Sequence, residues 1–298
     1  MPGEANPALF QRHDGSVTAY EVLGNQDTDA EPIVLVAGLS MVRGDWERLA
    51  DPMSKYRKVL IYDHRGIGDS TFSKGDDVIT IESLARDLLD LLIFLEWKKF
   101  IFCGFSMGGL IAQQLLFLPY VVTNPTPLPF QVKHLILAGT LAGPKDKEPG
   151  FKISLPKLQR PPTREERREF SRPMVHAAFD PIWYNDPANS ERADWWLDRI
   201  SGRPMKVIGM QARAIDTVKL EDYYPRLSSD IKVLVIHGKL DEIVPFSYSD
   251  DILRHIPWAK RVEVGMQPGQ VEHLDFGHNW FEYFDSNVWC EVIERFVG

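Results

Sequence analysis

The sequence predicts an α/β protein: a mostly parallel, doubly wound sheet with an inserted helical cap. Three observations carry that prediction. Continuous β-branched runs such as Ile33-Val34-Leu35-Val36-Ala37 lack inside–outside alternation, as expected of parallel strands covered on both faces. Such runs alternate with helical patterns up to about residue 142, the order of a parallel sheet wound in both directions. The alternation then stops, and no buried strand is visible from Gly143 to about Ser229. The expected division is a core of residues 1–142 and 230–298, interrupted by a helical cap at 143–229.

Each element follows from local pattern. Val17 to Leu23 alternates partially and reads as a half-exposed strand, followed by an acidic loop from Gly24 to Pro32. After the Ile33 strand, Asp45 is placed to cap a short helix from Trp46 toward Ala50. Lys58 to Tyr62 is the next buried strand. Thr80 caps a helix whose apolar positions Ile81, Leu84, Leu88, Leu91 and Leu95 share one face. Phe100 to Cys103 reads as a buried strand, Leu110 to Leu116 as a mostly buried helix, and Val132 to Ala138 as another strand. Between the last two, four prolines break the stretch from Pro119 to Phe130. In the insertion, Arg164 to Phe179, Asn189 to Ile200 and Pro204 to Ile215 read as helices. The sheet resumes at Ile231 to Gly238, with helices near Tyr248 to His255 and Asn287 to Phe296. Arg261 to Val264 and Gln270 to Leu274 are two alternating runs, expected to form a hairpin-like extension.

Composition bounds the function. At 298 residues, with 44% hydrophobic and 26% charged side chains, the chain can bury a sizeable core as one large domain or one domain with an insert. A net charge of -8 argues against a nucleic-acid partner. Two cysteines, Cys103 and Cys290, are too few for a disulfide framework. The N-terminal stretch lacks the basic and apolar regions of a signal peptide, and no segment is apolar enough to span a membrane, so the expected setting is the cytoplasm.

The chemistry centres on Gly104-Phe105-Ser106-Met107-Gly108-Gly109, between a predicted strand and a predicted helix. A sharp strand-to-helix turn exposes the Ser106 hydroxyl at the end of the sheet, glycines admit the close crossing, and the helix N-terminus favours developing negative charge. The stretch resembles the nucleophile elbow of the α/β-hydrolase superfamily. Three further segments resemble that family in register: the loop Asp63-x-Arg65-Gly66-x-Gly68-x-Ser70, the acid turn Gly238-x-x-Asp241-x-x-Val244-Pro245, and the histidine turn Gly277-His278.

The resemblance implies roles. Ser106 is the nucleophile, His278 the base and then general acid, and Asp241 the carboxylate that fixes the imidazole tautomer. Asp241 also reads as a turn residue bonding its own backbone, and Glu242 and His273 are alternatives for the acid and the histidine. Backbone N–H groups of Met107 and Leu39 are the expected oxyanion donors, although Ala37 stands where many relatives have histidine. Arg65 and Asp69 read as turn-pinning residues. Trp183, Tyr184, Trp195 and Trp196 concentrate aromatic surface in the insertion, part packing and part pocket wall, with Trp183, Trp195 and Trp196 expected at the substrate. No His/Cys cluster has metal-ligand spacing. The implied activity is cofactor-free serine hydrolysis of a small to medium apolar ester or lactone through an acyl-enzyme. Alternatives with the same serine are a C–C bond hydrolase, a perhydrolase, or a small-molecule receptor that retains the triad. The oligomeric state is left open.

Overall fold

In the computed structural model, residues 6–24, 28–73, 75, 78–143, 150–152 and 160–298 are described. The first five residues, part of the acidic loop, and residues 144–149 and 153–159 of the expected insertion lie outside them.

Eight strands form one sheet: β1 (Ala8–Gln11), β2 (Val17–Leu23), β3 (Ile33–Val36), β4 (Val59–Tyr62), β5 (Lys99–Phe105), β6 (Gln131–Ala138), β7 (Lys232–Ile236) and β8 (Lys260–Arg261). Their order is β1-β2-β4-β3-β5-β6-β7-β8. β1 and β2 pair antiparallel, as do β2 and β4, whereas every pairing from β4 onward is parallel. The continuous apolar runs have the predicted cause: β3 and β4 are buried at every residue, with apolar layers on both sheet faces.

The layers are α1 (Glu47–Met53), α2 (Ile81–Phe94), α3 (Met107–Phe117), α8 (Ser247–His255) and α9 (Ser286–Val297). Thr80 caps α2, its hydroxyl accepting from the Ser83 N–H while the Ser83 side chain returns a bond to the Thr80 N–H. Every residue of α3 is buried, so this helix has no solvent face. Between β6 and β7 run α4 (Arg164–Ala178), α5 (Pro181–Asn185), α6 (Ser190–Ser201) and α7 (Met205–Thr217), with no strand among the described residues there. Their apolar residues divide between the two core clusters. Val175, Phe179, Trp196 and Ile200 pack with Trp46, Phe105 and Phe281, while Val207, Met210 and Ala214 pack with Met107, Leu110 and Leu141. These helices therefore share the core's hydrophobic interior on both sides of the β5–α3 junction.

Three local expectations change. Asp45 does not cap the helix that begins at Glu47; it is the third residue of a 3₁₀ turn, Arg43–Trp46, and its buried carboxylate accepts from the Val42 N–H at the start of that turn and from Arg203. The chain enters the helix through this turn, and the carboxylate bonds backwards to it and across to the insertion. The two runs near the C-terminus do not form a hairpin of strands. The last strand is only Lys260–Arg261, parallel to β7, and the runs meet in a single bridge between Val264 and Val271. The short edge strand β1 is additional to the expected strands.

Candidate active site

The site is assembled at the C-terminal ends of β3, β5 and β7. Ser106 is the single residue between β5 and α3, at φ 53° and ψ -121°. For a residue with a side chain such a backbone costs about 1–3 kcal/mol and persists only where its surroundings over-determine it. Here the Ser106 N–H donates to Ala138 O at 2.9 Å, while Ser106 O accepts from the Gly109 N–H at 2.9 Å and the Thr140 hydroxyl at 2.6 Å. The glycines serve close approach: a Cβ on Gly108 would stand 1.9 Å from Val36 O, and one on Gly104 2.7 Å from Gly109 Cα. Either would push α3 off the sheet.

Asp241 follows β7 and uses its two oxygens differently. Oδ1 accepts from the Ile243 and Val244 N–H groups at 2.9 and 2.8 Å, closing the turn. Oδ2 lies 2.7 Å from His278 Nδ1 and 3.3 Å from His237 Nε2. Asp241 thus closes its own turn with one oxygen and faces His278 with the other. Burial alone would raise this carboxyl, but the His278 charge and hydrogen bonds from His237 and His278 outweigh it and bring it to about 2. An ionised carboxylate only accepts, so His278 Nδ1 donates, and the neutral form of the ring then has its lone pair on Nε2.

Ser106 and His278 line one cavity of about 60 Å³. Its apolar wall is Leu39, Met41, Phe105, Met174, Ala178, Trp196, Ile200 and Ile243; Ser40, Asp45 and Asn279 add polar groups. A Cβ on Gly38 would stand 3.1 Å from Ser106 Cβ, so the loop after β3 lies against the serine. Met107 is the first residue of α3, where its N–H has no acceptor within the helix. Its side chain is core. At Ala37 itself, buried His64 contacts the carbonyl oxygen through Nε2 at 2.9 Å just past the end of β3. Burial lowers the His64 pKa, which keeps its ring neutral at this carbonyl.

The other candidates separate from the site. Glu242 and His273 are exposed. Among the three expected tryptophans, Trp196 is in the cavity wall; Trp183 stacks on Phe179 at 4.1 Å, and Trp195 lies against the Arg192 and Arg199 guanidinium groups at 3.7 and 4.2 Å. Arg65 bonds both oxygens of Asp87, and Asp69 pairs with Arg43 at 2.8 Å, so both pin turns. Burial pushes the Cys103 thiol up to about 12, leaving it un-ionised. Among the described residues no His, Cys, Asp and Glu cluster could hold a metal ion. His64, His237 and Asn279 were not singled out by sequence, although Asn279, next to the Gly-His turn, had a positional signal.

A family model described as the alpha/beta hydrolase fold matches residues 31–266. The chain is 32% identical over 112 residues to 3-oxoadipate enol-lactonase 1 of Acinetobacter baylyi, covering 37% of this chain and 39% of that protein. It is 35% identical over 95 residues to RutD of Agrobacterium fabrum, a protein named for carbamate hydrolysis, covering 31% and 35%. The matches thus span little more than a third of these relatives. Among solved structures, an esterase from Exiguobacterium antarcticum superposes with a TM-score of 0.73 at 20% identity, covering 98% of this chain and 99% of that one. At that identity the superposition speaks to the fold.

Proposed function

Because the chain belongs to the α/β-hydrolase family, we propose that it is a serine hydrolase that cleaves a carboxylic ester or lactone through an acyl-enzyme. The observation that carries this is one constellation: a strained Ser106 sharing a cavity with His278, whose Nδ1 is held 2.7 Å from a buried carboxylate. In the proposed reaction, His278 Nε2 takes the Ser106 proton as Oγ attacks the carbonyl carbon. Asp241 stabilises the imidazolium that forms. The Leu39 and Met107 N–H groups receive the negative oxygen of the tetrahedral intermediate. The carbonyl re-forms, the C–O bond breaks, and the leaving alkoxide takes the proton from His278. Water then repeats the sequence on the acyl-enzyme, releasing the carboxylic acid and restoring Ser106.

Residues 143–229 act in this reading as a cap on the core formed by 1–142 and 230–298. Trp196, Met174 and Ile200 bring its apolar surface over the serine. Excluding water strengthens the electrostatic interactions on which the tetrahedral intermediate depends.

The experiment is fluorophosphonate labelling with peptide mapping, followed by turnover of paired esters, lactones and carbamates. Labelling at Ser106 with ester or lactone turnover is expected, and Ser106→Ala should lose on the order of 10⁶-fold in kcat. Turnover surviving in Ser106→Ala would remove the serine from the reaction. A preference for carbamates would move the substrate while leaving the nucleophile.

A further inference from the structure

Two imidazoles face the Asp241 carboxylate, and the proposed reaction uses one of them. Oδ1 is taken by the Ile243 and Val244 N–H groups of its own turn, which leaves Oδ2 to the histidines. His278 Nδ1 stands 2.7 Å from Oδ2, and Nε2 of His237, the residue after β7, stands 3.3 Å from the same atom. All three side chains are buried.

His237 is not a second base. Its Nε2 lies 2.8 Å from the Val244 carbonyl oxygen, which only accepts, so Nε2 donates and offers no lone pair to a proton. Its Nδ1 is buried with no hydrogen-bond partner among the described residues. The ring packs at right angles to Phe246, with centroids 5.9 Å apart, and the Arg261 guanidinium lies over that phenyl ring.

What His237 offers the site is the N–H itself. Bonded to Val244 O, it also presents its positive end to Oδ2. A donor beside a carboxylate favours the ionised form and makes it a weaker base. Oδ2 then pulls less strongly on the imidazolium that His278 becomes. The ring stays free to accept the Ser106 proton at lower pH, and it passes that proton to the leaving alkoxide more readily.

We propose that His237 is a positioning residue that acts through Asp241, its N–H weakening the carboxylate's hold on the His278 imidazolium and so extending turnover to lower pH. This rests on the acyl-transfer reading of the site. The Val244 bond alone would serve only to close the turn after β7, and the two roles part in a pH profile.

The test compares wild type with His237→Leu, which removes the donor, and His237→Gln, whose amide nitrogen reaches about as far as Nε2. The readout is kcat/KM for a short-chain ester across the acid range, whose falling limb reports protonation of the free enzyme's base. In His237→Leu the limb should move to higher pH by about half a unit to one unit, a roughly three- to tenfold loss on the acid side. In His237→Gln it should stay within about 0.2 units of wild type, because the donor is kept.

A limb unmoved in His237→Leu, or moved equally in His237→Gln, overturns the proposal and leaves His237 the closing of its turn. Should His237→Leu not fold, nuclear magnetic resonance of wild type with isotope-labelled histidine carries the test. The His237 Nε2–H resonance should then move as His278 takes up its proton, and hold still over the same range in His278→Ala. No movement in wild type, or equal movement in the alanine variant, overturns the proposal. If wild type neither labels at Ser106 nor turns over any ester, the reading of the site fails first and this inference with it. A labelled, active wild type with an unmoved limb in His237→Leu sinks the inference alone.

Discussion

At the scale of the residue, Asp241 shows how one carboxylate serves both fold and site. Its Oδ1 bonds hold the turn after β7, and its Oδ2 faces two imidazoles. Asp241→Asn should lower kcat by roughly 10⁴-fold, by allowing the wrong His278 tautomer, whereas Glu242→Gln in the neighbouring exposed position should be near neutral. Steady-state ester kinetics on the two variants would decide the assignment. The same carboxyl carries a stability prediction. Its folded value of about 2 lies below the ordinary aspartate value of 3.8, so its ionised form stabilises the fold above about pH 4. That contribution, about 2 kcal/mol, is lost as pH falls from 4 toward 2. Denaturant unfolding should show the gap between wild type and Asp241→Asn narrowing by that amount between pH 6 and pH 2; a constant gap would contradict the low carboxyl value. Ser106, Asp241 and His278 were legible because each sits in a short turn whose neighbours in sequence are its neighbours in space. The bond from the Ser40 N–H, on the loop after β3, to Gln211 Oε1 at 2.9 Å was not, since its two ends are 171 positions apart and nothing in α7 signals the contact.

Between elements, the seam under α6 is built from charge as well as apolar surface. Glu282 has no exposed side-chain area and accepts from Arg192 at 2.6 Å, Trp196 Nε1 at 3.0 Å and Arg48 at 3.3 Å. Arg192 also pairs with Glu47 of α1. Such a network adds little net stability over an apolar replacement, but breaking it on one side strands a buried charge. Arg192→Met should therefore destabilise the protein by about 3 kcal/mol, and adding Glu282→Leu should restore part of that loss. Urea midpoints of the single and double variants would test this, and a double variant less stable than Arg192→Met would refute the argument. The helices of the insertion follow signals that act locally, such as Pro161-Pro162 and the capping Thr163 at the start of α4. The misreadings arose where tertiary contacts decide. Asp45 had the composition of a cap but bonds backwards to the Val42 N–H and across to Arg203, and Gln270 to Leu274 has strand-like alternation but only a single bridge with Glu263–Gly265 rather than a ladder.

For the whole molecule, the two apolar clusters and the helices between β6 and β7 leave little room beside Ser106. A cavity of about 60 Å³ is several times the roughly 10–15 Å³ that one water requires on that measure, but far below the space a long acyl chain fills. Its wall is mainly apolar, so each methylene of a short acyl group that enters should add about 0.8 kcal/mol of transfer free energy. The wall is also fixed: Trp196 is held by Glu282, and Asp45 ties the loop after β3 to Arg203 at 2.8 Å. Extending the cavity would therefore require moving a charged seam. We expect kcat/KM for a series of linear acyl esters to rise through the first few carbons and then fall. Replacing Ile200 by alanine should shift the maximum toward longer chains, because the side chain lines the cavity from the insertion side. The measurement is kcat/KM against acyl length for wild type and Ile200→Ala, with a common leaving group. A flat profile, or one still rising at long-chain lipids, would show an open groove in place of a closed pocket. An unchanged maximum in Ile200→Ala would place the limiting wall on the core side, at Met41 or Phe105.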